Sequence, residues 1–160
     1  LRRQGQRRDG PVDQTPVRWG IVGTGGIARR TVGDLRATAG WSAARRVLNI
    51  SSGNGRRAMA SQSLYSAAKA GMDHYTRCLA LEESSQANGA RVCSLAPGII
   101  DTDMQTHLRS AGADTFPDHA RFVEYHSSGQ LLSIDAAAER VLRYLARPDF
   151  GDNPAGDVRD

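Results

Sequence analysis

The first apolar run along the chain is residues 17–22, Val-Arg-Trp-Gly-Ile-Val, which ends in glycines and predicts a strand. Residues 26–38 follow, with Ile27, Val32 and Leu35 on one helical face. Residues 41–45 carry no decisive pattern. Residues 46–51, Arg-Val-Leu-Asn-Ile-Ser, predict a second strand closed by the loop signal Ser-Gly-Asn-Gly. The longest helical pattern runs from about 60 to 87, where Leu64, Ala68, Met72, Tyr75 and Leu79 recur every three or four residues. Asn88-Gly89 stops it. Residues 91–96, Arg-Val-Cys-Ser-Leu-Ala, predict a third strand, closed by Pro97-Gly98. Helical pieces follow at 103–111 and 117–127. Ser133 is a suitable N-cap for a helix to about 146, with Pro148 just beyond its end. A weak last strand is expected near 156–159. Strands alternating with helices predict an α/β fold with a parallel sheet and right-handed crossovers.

Composition narrows the class. The 160 residues suit one domain, and 24% charged with 39% hydrophobic is the balance of a globular protein. Aromatics are 6%, so Leu, Ile, Val and Ala must build the core. No run approaches the roughly 18 apolar residues a membrane span needs. The basic start leads into Gln, Asp and Pro rather than an apolar stretch, so no signal peptide is expected. Cys78 and Cys93 exclude a disulfide framework and a Cys-rich zinc site, read as small core residues, and point to a reducing cytoplasm. His74, His107, His119 and His126 lack metal-site spacing. The net charge is +4. Half of it comes from residues 1–16, where Arg2, Arg3, Arg7 and Arg8 face Asp9 and Asp13. This arm has too few apolar residues to offset its ordering entropy and is expected to be disordered. Arginines without interleaved aromatics are a poor nucleic-acid footprint, so neither nucleic acid nor a membrane is expected as partner. Residues 17–160 would then form a single domain.

Gly23-Thr24-Gly25-Gly26-Ile27-Ala28 follows a strand and opens a helix. This G-x-G-x-x-A order is the dinucleotide fingerprint. Gly23 would make the tight turn, and Gly25 would let the backbone approach a pyrophosphate. Gly26 and Ile27 would offer free N–H groups at the helix start. The other reading is a tight turn that binds nothing. The acidic residue expected about 20 positions on is missing. Arg56 and Arg57, after the second strand, would instead favour a 2′-phosphate, hence NADP, with NAD as the alternative.

The chain has one lysine, Lys69, four residues after Tyr65. At i and i+4 the two share a helix face. A phenol is a poor acid-base at neutral pH, and an ammonium one turn away stabilises its phenolate. Ser52 sits at a strand end, where its hydroxyl could hold a carbonyl oxygen while Tyr65 supplies the proton. The bare Tyr-x-x-x-Lys pair also occurs on ordinary solvated helix faces.

Three motifs stand in order: Asn49-Ile50-Ser51-Ser52-Gly53, Tyr65-Ser66-Ala67-Ala68-Lys69-Ala70-Gly71, and Leu95-Ala96-Pro97-Gly98-Ile99-Ile100-Asp101-Thr102. Together they resemble the short-chain dehydrogenase/reductase family over about residues 45–160. Leu79-Ala80-Leu81-Glu82-Glu83, Asp101-Thr102-Asp103-Met104-Gln105 and Gly156-Asp157-Val158-Arg159-Asp160 resemble its sepiapterin and benzil reductase branch. The resemblance implies a Rossmann-like doubly wound sheet and hydride transfer to a small-molecule ketone. Ser52 would polarise the carbonyl and Tyr65 would donate the proton. Lys69 would hold the nicotinamide ribose. Pro97, Gly98, Ile100 and Thr102 would line the nicotinamide, and Asn54 and Asp157 would face the substrate. It also implies pairing into a homodimer through the helix at 60–87 and a second helix that this chain lacks.

The chain departs from that family's pattern. Its Thr-Gly-x-x-x-Gly-x-Gly turn, its Asn-Asn-Ala-Gly segment and its catalytic Asn are missing from the sequence. Residues 17–40 instead resemble the opening of the glucose-fructose oxidoreductase/inositol dehydrogenase family, without that family's Glu-Lys-Pro motif. The expectation is a truncated hybrid: a glycine-rich βα unit at 17–40 and a catalytic half at 45–160. Strands two to four of the usual sheet would be missing. About four strands would remain, in the order 1-2-3-4, with an undercovered edge. A chain that lacks the adenosine pocket could also be a nucleotide-binding or scaffolding remnant without catalysis.

Overall fold

The computed structural model describes residues 19–21 and 45–160. Four strands, β1 (Trp19–Ile21), β2 (Arg46–Ile50), β3 (Arg91–Ala96) and β4 (Ala155–Asp157), form one sheet in that order. Every pairing is parallel: Trp19 lies beside Arg46, Arg46 beside Arg91, and Ser94 beside Ala155. Four helices are described: α1 (Ser63–Ser84), α2 (Asp103–Ser110), α3 (His119–Ser127) and α4 (Ile134–Leu145). The expected strand order is borne out, and so is the Rossmann-like α/β class. The glycine turn with Gly23, Gly25, Gly26 and Ile27, the helix at 26–38 and the arm 1–16 lie outside the described residues.

Period-two alternation along β2 and β3 sorts their side chains onto two faces. Leu48, Cys93 and Leu95 meet Leu145 of α4 and Phe150, with Val141 and Tyr144 packed beside them. Val47 and Val92 meet Leu79 of α1 on the other face. The sheet is therefore covered on both sides, as a doubly wound arrangement requires. Fully burying a side chain such as Leu95 or Val92 contributes about 1.5–3 kcal/mol.

The α1 face differs from the predicted stripe. Asp73, Thr76, Leu79 and Glu83 are its buried residues. Leu64, by contrast, is 87% exposed and Tyr75 is 40% exposed. The reason lies in the strands beneath. Past Val47 and Val92, the α1 side of the sheet turns polar. Asn49 Nδ2 donates to Thr76 Oγ1 at 2.8 Å, and Thr76 Oγ1 donates to Met72 O at 2.9 Å. Glu83 Oε2 accepts from Ala90 N at 2.8 Å. A helix whose buried groups find such partners can present its polar side inward. The rotated phase also leaves Cys78 exposed, which corrects its reading as a core residue, while Cys93 is buried.

The later elements follow the predicted pattern within a few residues. Ser133 caps α4, its Oγ accepting from Ala136 N at 3.2 Å. Phe116, just before α3, packs edge to face on Phe122, and Phe122 on Tyr125 further along the helix. Among the described residues no helix is long and apolar enough to cross a membrane.

Candidate active site

Because the strands are parallel, Ile50, Ala96 and Asp157 all end at one edge of the sheet. In open α/β sheets ligands bind outside this carboxyl edge. The chain leaves β2 through Ser51, which is buried, and Ser52, which caps the short 3-10 turn Gly53–Gly55. Ser52 has extended backbone, φ −156° and ψ 154°, and its Oγ accepts from Asn54 N at 3.2 Å. Asn54 is half-buried, with its Nδ2 3.6 Å from Met59 Sδ.

Tyr65 lies in the first turn of α1 and Lys69 one turn further. Both are half-buried. Lys69 Nζ donates to Ile50 O at 2.9 Å, two residues before Ser52. The same Nζ stands 5.6 Å from the centre of the Tyr65 ring. The ammonium thus ties the exit of β2, which leads into Ser52, to the tyrosine face of α1.

The exit of β3 lies beside that of β2 at the same edge. Gly98 has φ +88°, a region in which L side chains are strained. A Cβ there would lie 3.3 Å from Leu132 Cδ1 and 3.5 Å from Val158 Cγ2. Ile100 pairs in parallel with Leu132. Leu132 N donates to Ile99 O at 2.8 Å, and Asp101 N donates to Leu132 O at 2.9 Å. These bonds hold Ile99 to Asp101 against Leu132. Thr102 caps α2 through its backbone and, unlike Ser133, makes no side-chain capping bond.

One residue is placed differently from expectation. Arg56, read as a 2′-phosphate ligand, turns back into the protein. Its Nε lies 3.2 Å from Asp73 Oδ2, and its Nη2 donates to Gly156 O at 2.8 Å. Buried partners outcompete solvent for this guanidinium. Asp157 ends β4 only 8% exposed. Arg159 grips both its oxygens, with Nε at 2.7 Å and Nη2 at 2.6 Å. Hydrogen bonding from Arg159 holds the carboxyl below the usual carboxylate range.

Sequence reasoning missed a group beside the site. Ser51 Oγ and Ser94 Oγ both donate to Asp73 Oδ1, at 2.5 and 2.6 Å. The available signal was that Asn49, Ser51 and Ser94 interrupt otherwise apolar strands. Period two puts Asn49 and Ser51 on one face of the sheet.

A sequence model of the family described as short chain dehydrogenase matches residues 39–113. Benzil reductase ((S)-benzoin forming) of Bacillus cereus is 32% identical over 124 residues, 78% of this chain and 49% of that protein. The chain belongs to the short-chain dehydrogenase/reductase family. Sepiapterin reductase of Rattus norvegicus is 35% identical over 115 residues, 71% of this chain and 42% of its own length. The crystal structure of the KRED1-Pglu enzyme superposes with a TM-score of 0.64 at 27% identity, covering 81% of this chain and 52% of that one. The chain therefore spans about half the length of the curated relatives it matches. The family match begins at residue 39, at the very end of the segment likened to the inositol dehydrogenase family.

Proposed function

We propose that this short-chain dehydrogenase/reductase is an NAD(P)-dependent carbonyl reductase that works through Ser52, Tyr65 and Lys69. The observation carrying the proposal is Lys69 Nζ, which bonds Ile50 O while standing over the Tyr65 ring. That arrangement leaves the ammonium in place to stabilise a phenolate and keeps it beside the Ser52 turn.

The residues at the carboxyl edge fit the nicotinamide end of the cofactor. Tyr65, Lys69, Pro97, Gly98, Ile100 and Thr102 would hold it, since they lie on the start of α1 and on the chain leaving β3. Gly23, Gly25, Gly26 and Ile27 would receive the pyrophosphate. When bound, a reduced nicotinamide supplies the hydride for the carbonyl carbon. Ser52 Oγ, which accepts a bond from Asn54 N, keeps its own proton to donate to the substrate oxygen. Tyr65 transfers its proton to that oxygen as charge develops. Lys69, held by Ile50 O, offsets the negative charge left on Tyr65. Asn54 and Asp157 would border the substrate, with Asp157 braced by Arg159.

NADP is the proposed cofactor and NAD the alternative. Recognition of a 2′-phosphate would fall to a residue other than Arg56. The substrate is a ketone or diketone. A homodimer belongs to the same proposal, since α1 presents Leu64 and Leu81 to solvent. So does a cytoplasmic setting, in which Cys78 and Cys93 stay reduced. A second reading, cofactor binding without turnover, is favoured by the half-length match to the relatives.

Purified full chain with NADPH and benzil, followed by nicotinamide absorbance, tests the proposal. Turnover that falls at least about a hundredfold in Tyr65→Phe is the expected result. An unchanged rate in that variant would sink the mechanism. Calorimetric binding of NADPH without turnover would favour the second reading, and binding of neither NADPH nor NADH would remove both.

A further inference from the structure

One turn past Lys69 on α1, Asp73 is 1% exposed. A carboxylate so removed from water must be paired or it destabilises the fold. It is paired on both oxygens. Oδ1 accepts the hydroxyls of Ser51 and Ser94, and Oδ2 faces the Arg56 Nε. Arg56 then reaches across to Gly156 O in β4.

Ser51 and Arg56 bracket the segment that holds Ser52. Between them, the backbone of Gly55 rests directly on α1. A Cβ at Gly55 would lie 3.0 Å from Asp73 Oδ2 and 3.0 Å from the Lys69 carbonyl carbon. The turn is closed internally by Gly55 N to Ser52 O at 3.0 Å and Arg56 N to Gly53 O at 3.1 Å. Nothing in those bonds sets where the turn sits on α1. The contacts that do so are Lys69 to Ile50 O and the Ser51 and Arg56 arms to Asp73, whose carboxylate Ser94 of β3 also holds.

We propose that Asp73 is a positioning residue, which fixes Ser52 against Tyr65 and Lys69 by clamping both ends of the Ser51–Arg56 segment to α1. The functional half of this inference rests on the catalytic reading of Ser52, Tyr65 and Lys69. The chemistry demands a carboxylate. Two hydroxyl donors converge on one oxygen while a guanidinium donor needs the other. An amide offers one acceptor oxygen, and its NH₂ would point a donor at Arg56.

The test is Asp73→Asn in the full chain, read by hydrogen exchange and by kinetics. Exchange across residues 51–57 is expected to accelerate about tenfold while residues 92–95 of β3 keep their protection. The kcat for benzil should fall about tenfold with KM for NADPH unchanged, and Asp73→Asn should cost nothing further in a Ser52→Ala background. Unchanged exchange at 51–57, or an equal rise in β3, would overturn the clamp. Losses that multiply with Ser52→Ala would overturn the action through Ser52. If Asp73→Asn does not fold, Arg56→Gln cuts the more exposed arm, and unchanged exchange at 51–57 in that variant overturns the proposal. Full turnover in Ser52→Ala alone would refute the catalytic reading, while the exchange result would stand or fall by itself.

Discussion

Replacing Gly156 with alanine would test the packing of β4. The new Cβ would lie 2.1 Å from Tyr144 Oη and 2.8 Å from its Cζ, with Cys93 Sγ at 3.5 Å. No real Cβ tolerates the first two distances, so the Tyr144 ring must move. Tyr144 is half-buried and packs edge to face on Phe150, with ring centres 6.3 Å apart. Arg147 lies over its ring at 4.8 Å. Losing the ring pair removes about 0.5–1.5 kcal/mol. Forcing an extra methyl into a packed interior adds about 1–3 kcal/mol. The expected destabilisation is therefore about 2–4 kcal/mol, a fall in Tm of roughly 5–12 °C for a chain of this size. Urea unfolding followed by circular dichroism measures it. A companion Tyr144→Ala background isolates the cause, because there Gly156→Ala should destabilise by less than about 1 kcal/mol. A single substitution that lowers stability by less than that, or an equal loss in both backgrounds, would refute the assignment to Tyr144.

Two further outcomes follow from buried and paired groups. With Ellman's reagent, Cys78 should react at once and Cys93 only on unfolding, because burial pushes the Cys93 thiol up. Two fast equivalents would contradict the burial. Asp157 has a depressed folded pKa, so its stabilising effect is fully present above the ordinary carboxylate value near 3.9 and is lost as pH falls through the folded value. Wild type and Asp157→Asn should differ in stability at pH 7 and converge in acid below about pH 4. A gap that stays constant down to pH 2 would show that charge is not the cause.

Strand positions were legible because β2 and β3 are short apolar runs closed by glycine and proline signals. β1, β2 and β3 lie within one or two residues of prediction, and the motifs that begin at Asn49 and Leu95 run off the carboxyl ends of β2 and β3. The phase of α1 was not legible. Leu64, Met72, Tyr75 and Leu79 make a convincing apolar stripe, yet the helix turns Asp73 and Thr76 inward. Periodicity weighs each residue alone, whereas burial of Asp73 depends on Ser51 and Ser94, which are far away in sequence and arrive through strand register. The same limit hid the fate of Arg56. Its charge at a strand end fits a phosphate ligand, and only the fold brings Asp73 and the Gly156 carbonyl within its reach.

The parallel register has a consequence for how the chain reaches this structure. Each crossover must be closed before its strands can reward it, and the pairing of Ser94 with Ala155 spans more chain than that of Arg46 with Arg91. The unit of β2, α1 and β3 is thus the earlier of these two closures, and it carries Val47, Leu79 and Val92 as its own small core. β4 docks onto an edge already in place. Until it does, the Cys93 and Leu95 face of β3 and the free edge beyond it stay open to any other extended segment. Kinetic partitioning between docking and association is then set by how fast the longest loop closes, a rate that falls with topology rather than with stability.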